Sequence, residues 1–328
     1  MSLPSLFLLR TFATILAHGV MFMIVTTSAG QSRLPVSAAE SDLPAIPGMS
    51  AEQLLVFADY LLQTGEYVRA ITEYRRFLLH HPDDARCAMA HFSMGLAWYR
   101  WERFADAFHT FQEVAVHYPG TSYGEQAWLW QGESLVRQGH YRAAGTLYAE
   151  LAQRFHGTVL EEHARYQHAW TLLYQRQWHE AASQLGHITP HSILYTNAQS
   201  LAQGAMAGER LPSKSPTLAG ILSALLPGSG QLYLGRLGDG LLAFCLNGLF
   251  IAGALEATQH HALTVAGLLS FLEVGWYAGT VYGAVNGAYK YNRHTTETFL
   301  RNLDNNLHLP VPSPPQARSL GVRFSLGF

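Results

Sequence analysis

Charge is scarce in this sequence. Asp, Glu, Lys and Arg make up 13% of its 328 residues, while hydrophobic residues reach 48%. Soluble domains usually carry about 25% charge, so some part of the chain is expected to sit in lipid. The 21 Lys and Arg nearly balance the 23 Asp and Glu, which leaves no basic field to hold nucleic acid and excludes that partner class. Cysteine is also nearly missing. Cys87 and Cys245 fall in segments assigned to different domains, so no disulfide is expected between them. Other absences bear on chemistry. The sequence has no glycine-rich phosphate loop, nucleophile elbow or Cys-x-x-Cys pair, and Pro227–Gly230 is not followed by Lys or Ser/Thr in the Walker position. Its 17 histidines, among them His80-His81, His260-His261 and His163 with His168, lack the i, i+4 pairing with a placed glutamate that hydrolytic zinc sites use. No catalytic residue, metal or cofactor is therefore expected, and the chain reads as non-enzymatic.

Two domains suit this length. Residues 1–29 hold a single charge, Arg10, then the apolar run Thr11–Val25 and the small-residue stretch Thr27-Ser28-Ala29. That pattern suits a cleaved signal peptide, with an uncleaved anchor as the alternative. Either places the next domain outside the cytoplasm. No cysteine lies nearby to accept a lipid. Residues 30–50, with Pro35, Pro44 and Pro47, read as a linker.

A period of 37 residues then governs the chain. Tyr67, Phe104, Tyr141 and Trp178 keep it, as do Ala70, Ala107, Ala144 and Ala181. So do Tyr74, Phe111, Tyr148 and Leu185, and the small residues Ala58, Gly95, Gly132 and Ala169. Each unit reads as two amphipathic helices stopped by Pro82 or by Pro119-Gly120. The small residues let paired helices approach, and the aromatics are expected to fill the space between successive pairs. One pair cannot bury its own apolar face, so about four stacked pairs and a capping helix over Ile193–Gly208 are predicted, an all-α solenoid spanning 51–208.

These positions resemble the tetratricopeptide repeat family. Tyr118-Pro119-Gly120-Thr121-Ser122-Tyr123 with Gln138-Gly139-His140-Tyr141 is similar to the longer-period repeats of bacterial envelope proteins, including the Tol–Pal accessory protein and the outer-membrane assembly lipoprotein. Two positions depart from the pattern: His156 stands where proline is expected, and Arg176 where Gly65 and Gly139 stand in other units. The resemblance implies a concave groove, lined by the first helix of each pair, that binds a peptide or a partner helix. Carried onto this chain, that groove is Leu55, Asp59 and Leu62, then Phe92, Leu96, Tyr99 and Arg100. Leu129, Glu133 and Arg137 come next, and then Tyr166, Trp170 and Tyr174. The bland alternative is that many of them simply pack between helices.

After a linker at 209–216, a membrane domain is predicted over 217–291 from three apolar segments. Thr217–Gly235 is broken by Pro227-Gly228-Ser229-Gly230 and suits a re-entrant or half helix, whereas Gly240–Ala257 and Ala262–Ala288 suit transmembrane helices. The stretch Pro227, Gly228, Gly230, Gln231, Tyr233 and Gly235, completed by Asp239 and Gly240, resembles a P-G-x-G-Q-x-Y-x-G motif of small bacterial membrane domains of uncharacterised function. Glu273 inside an apolar helix is expected to have a functional or a pairing role, with Asn247 or Gln231 as candidate partners. Lys290, Arg293 and Arg301 follow the third segment, while Glu256–His261 has no Lys or Arg. By the positive-inside rule the third segment should end in the cytoplasm, which with periplasmic repeats requires Thr217–Gly235 to cross as a third span with Arg236 in a short cytoplasmic turn; a two-span hairpin, favoured on length, returns the tail to the repeats' side.

Residues 292–328 read as a polar, proline-rich tail. Pro310, Pro312, Pro314 and Pro315 suggest an extended spacer, and Leu320, Val322, Phe324, Leu326 and Phe328 alternate like a strand. The resulting expectation is a scaffold of the bacterial cell envelope, anchored in the inner membrane, with periplasmic repeats making protein–protein contacts. Its partners would be an envelope protein or peptide and membrane lipid. The alternative is a membrane-embedded component of a transport or protein-insertion assembly, with the repeats as a docking arm.

Overall fold

The computed structural model describes residues 43–45 and 48–312. The signal-peptide, N-terminal linker and terminal-strand readings fall wholly or mainly outside these residues. Every regular element among the described residues is a helix, and those from Gly48 onward form one unit.

The repeats fold as pairs: α1 (Ala51–Gln63) with α2 (Tyr67–His80), α3 (Cys87–Arg100) with α4 (Phe104–His117), α5 (Ser122–Arg137) with α6 (Tyr141–Arg154), and α7 (Val159–Tyr174) with α8 (Trp178–Gly186). All four second helices begin on the aromatic residue of the 37-residue period. A capping box at Ser50 and Gln53 starts α1, and Thr121 and Thr158 cap α5 and α7 through their hydroxyls.

Each pair turns in the same way. The amides of Glu66, Arg103, His140 and Gln177 donate to the carbonyls of Leu61, Trp98, Leu135 and Leu172 at 2.9, 3.0, 2.9 and 2.9 Å. This is the Schellman closure, which needs a left-handed residue just before the donor. Gly65 and Gly139 supply it at φ 84° and 77°, while Glu102 and Arg176 adopt it at 60° and 61° without glycine. The fourth unit therefore keeps the turn despite its departure in sequence.

Small and large residues mesh within a pair. A methyl group on Gly95 would stand 2.7 Å from Phe111, and one on Gly132 would stand 2.4 Å from the Tyr148 ring. The aromatic of the second helix thus seats on the small residue of its own partner helix, rather than filling only the space between successive pairs. Phe111 and Tyr148 are wholly buried there.

Beyond α9 (Tyr195–Gly208), α10 (Pro216–Leu225) and the short α11 (Ser229–Tyr233) precede two long helices, α12 (Leu237–Gln259) and α13 (Leu263–Leu307). The last two form an antiparallel hairpin closed at His260–Ala262. The boundary drawn at residue 291 falls inside α13, which runs on without a break. At about 1.5 Å per residue its 45 residues span about 68 Å. Only part of that length pairs with α12. The remainder returns to the repeats.

Candidate functional site

The face lined by the first helices is the site that the repeat pattern singles out, and the chain's own C-terminal segment lies on it. Phe299 meets Trp178 edge-on at 6.0 Å. Leu300 joins the core of α7, α8 and α9, with Leu303, Leu307 and Leu309 packed against it. Asn292 fixes the approach by bonding both backbone groups of Lys214, accepting from its amide at 2.7 Å and donating to its carbonyl at 2.8 Å.

Past Leu307 the segment runs extended from α7 towards α5. Tyr166 donates its hydroxyl to the Leu307 carbonyl, and Gln167 donates its side-chain amide to the Leu309 carbonyl at 3.3 Å. His308 stands edge-on to Trp170 at 5.4 Å. Val311 enters the cluster of Leu129, Tyr148 and Leu151. Trp130 Nε1 then donates to the Pro312 carbonyl at 3.1 Å.

Most groove residues carried over from the family pattern meet on or beside this path. Tyr166, Trp170 and Leu129 are buried beneath it, and Tyr174 bonds Asp304 at 3.5 Å. Glu133 sits behind it, 6% exposed, and accepts from the Tyr99 hydroxyl at 2.8 Å. Tyr99 packs edge-on against Trp130, and Phe92 packs against Phe111, Tyr123 and Trp130. Leu96, Leu55 and Leu62 are buried in the helix packing, and Asp59 accepts from the Tyr74 hydroxyl. Arg100 and Arg137 reach solvent, the latter with its guanidinium 5.3 Å from the centre of the Phe104 ring.

Burial decides the electrostatics. It raises the Glu133 carboxyl above the usual carboxylate range, against the opposing pull of the Tyr99 hydroxyl, His308 and Arg137. Burial likewise pushes Tyr166 up to about 12 and raises Tyr99 and Tyr174. These phenols stay protonated at neutral pH and serve as donors. Among the described residues no group of three or more His, Cys, Asp and Glu could hold a metal ion.

Trp130 and Gln167 did not figure among the predicted groove residues, because the family pattern points one position away, to Leu129 and Tyr166. A signal for the occupant was present nonetheless: Thr296, Leu300, Leu303 and Leu307 recur at helical spacing, the mark of an apolar stripe.

The P-G-x-G-Q-x-Y-x-G stretch holds the base of the hairpin. Gly228 takes φ 90° with its α-carbon against the Gly240 carbonyl, where a methyl group would lie 2.1 Å from that oxygen, so only glycine fits. Gly230 packs equally tightly on Ala219 and Ala284. Gln231 accepts from Ser223 at 3.0 Å and donates to the Thr280 carbonyl at 2.9 Å, tying α10, α11 and α13 together. Tyr233 accepts from the Ser215 amide at 3.1 Å beneath the Lys214 ammonium. Gly235 forms another left-handed turn, and Asp239 pairs with Arg236 at 2.7 Å. The buried Asn247 reaches Thr280 at 3.5 Å, whereas both Glu273 carboxylate oxygens are buried with no hydrogen-bond partner. The expected pairing of Glu273 with Asn247 or Gln231 is not formed.

A family model described as tetratricopeptide repeat matches residues 126–155, which begin within α5 and end just beyond α6. No curated protein matches the chain. The matched repeat belongs to a class that is in general a non-enzymatic protein-interaction module, and a protein-interaction scaffold is the role it implies.

Proposed function

We propose that this chain is a membrane-anchored scaffold of the bacterial cell envelope, whose repeats engage a protein or peptide while the α12–α13 hairpin holds them at the bilayer. The observation that carries this reading is α13 itself, one helix that begins in the hairpin and ends on the repeat face. The hairpin has an inverted pattern. Leu241, Phe244, Leu249, Leu268 and Phe271 point outward, while Asn247, Glu273 and Thr280 within the hairpin, and Ser223 and Gln231 at its base, are buried, as suits lipid outside and polar contacts between helices. Among the described residues α12 is the one helix long and apolar enough to cross a membrane. Its 23 residues give about 34 Å, against about 30 Å of hydrocarbon. The apolar first part of α13 lies antiparallel beside it, so α10 and α11 become a wedge at the base rather than a third crossing.

In this reading the repeats and residues 308–312 share one side of the inner membrane. The N-terminal apolar run followed by Thr27-Ser28-Ala29 suits an export signal and supports the periplasm as that side. A second reading has one specific observation behind it: Arg236, Lys290 and Arg293 all lie at or beyond the hairpin's base, which by the positive-inside rule turns the repeats to the cytoplasm. Reporter fusions after Gly208 and Phe328 separate these readings. The proposal expects both reporters in the periplasm; both in the cytoplasm would move the scaffold inside, and opposite sides would overturn the hairpin.

The resemblance of Tyr118–Tyr123 and Gln138–Tyr141 to the longer-period repeats of envelope proteins supports an envelope protein as the partner. A transport or insertion assembly that uses the hairpin itself would instead lose function on Glu273→Gln with the repeat face intact.

A further inference from the structure

We propose that the face formed by α5 and α7 is a receptor for extended, proline-containing peptides of the pattern apolar-x-apolar-Pro-apolar-Pro, and that Leu307–Pro312 occupies it in cis as a displaceable stand-in. This rests on the scaffold reading of the repeats and adds to it the chemistry of the partner and the means of control.

Three observations carry it. The hydrogen bonds between the face and Leu307–Pro312 run from a repeat side chain to a segment carbonyl, Tyr166 to Leu307 at the helix end, then Gln167 to Leu309 and Trp130 to Pro312 in the extended part. A face that reads carbonyls asks for no amide N–H, and Pro310 and Pro312 have none to leave stranded. Second, Leu309 packs against the Trp170 core and Val311 enters the Tyr148 core. Residues two apart thus bury on one side, as an extended strand or polyproline segment requires. Third, the seat presents no exposed charge to the segment: its buried phenols are protonated donors, Glu133 is buried behind it, and Arg100 and Arg137 are turned to solvent. The partner this seat fits is therefore an uncharged, extended, proline-bearing segment of another protein, not a charged chain terminus.

The occupant is tethered through α13, so it competes at an effective concentration on the order of millimolar. A partner segment must displace it. Displacement would free the end of α13, the helix that leads back to the hairpin.

The test uses the full chain in detergent micelles and a fluorescein-labelled peptide with the sequence of residues 303–312, read by anisotropy. Leu309→Asp with Val311→Asp empties the seat, and the milder Val311→Ser is measured alongside in case the double variant does not fold. Both should keep the wild-type helical signal and bind the probe more tightly than wild type, the double variant by at least tenfold. Adding Trp130→Phe and Gln167→Ala should weaken that binding several-fold, and a scrambled peptide of the same composition should not bind. Equal probe binding by wild type and the folded variants, or equal binding of the scrambled peptide, would overturn the receptor. Such a result with both topology reporters in the periplasm would leave the scaffold reading standing; peptide binding with the reporters on opposite sides would refute the hairpin and spare the receptor.

Discussion

Gly132→Ala puts the packing of the repeats to a direct test. The added methyl carbon would stand 2.4 Å from Cε1 and Cζ of Tyr148 and 2.8 Å from its hydroxyl oxygen. Carbon atoms settle at about 3.5–4.0 Å, so the ring or the backbone must shift by more than about 1 Å. Tyr148 has little room to do so. It is wholly buried among Leu129, Ala144, Leu151 and Val311, and its hydroxyl donates to the Leu129 carbonyl at 3.3 Å. Overpacking of this kind costs about 1–3 kcal/mol, while replacing a mid-helix glycine by alanine returns up to about 1 kcal/mol of helix propensity. The net expectation is a loss of about 1–2 kcal/mol in urea unfolding followed by circular dichroism at 222 nm. Gly186, with nothing within 4 Å of an added methyl group, is the control, and Gly186→Ala should leave stability unchanged or slightly raised. A Gly132→Ala variant as stable as wild type would refute the seating of each aromatic on the small residue of its own pair.

Arg176→Gly should stabilise the chain by about 0.5–1 kcal/mol in the same assay, because a left-handed residue with a side chain is strained where glycine is not. Glu133→Gln should raise the melting temperature at neutral pH. Burial raises the folded-state pKa of this carboxyl, so the stability of the wild type falls as pH climbs from the unfolded carboxylate value, about 4.3, through the folded one. The difference between the two proteins should shrink below about pH 4. Gly228→Ala should loosen the hairpin's base, since the new methyl group meets the Gly240 carbonyl, and should increase proteolysis between α11 and α12.

The repeat architecture was legible because one period governs both helix starts and small-to-large contacts. Tyr67, Phe104, Tyr141 and Trp178 each open a second helix, and Gly95 and Gly132 each receive the aromatic sixteen residues on. Arg176 was less legible, since a left-handed turn without glycine leaves no trace in composition. The end of the chain misled for a different reason. Tyr291–Leu307 is too polar to read as membrane and is followed by prolines, so it looked like tail, although its stripe from Thr296 to Leu307 has the spacing of a buried helix face. Pro310 and Pro312 suggested an extended spacer, and the run is extended, but it lies on the repeats. An extended segment without amide donors is equally what a carbonyl-reading face accommodates, and only the placement of Trp130 and Gln167 reveals it.

The measurement that bears most directly on the central claim is photocrosslinking in cells from a benzoylphenylalanine placed at position 311, with the products mapped by mass spectrometry. Intrachain crosslinks to α5 and α6 near Leu129, Tyr148 and Leu151 are expected, since Val311 packs among those residues. Crosslinks to other proteins or to lipid with none to α5 or α6 would contradict the seating of the C-terminal segment on the repeats.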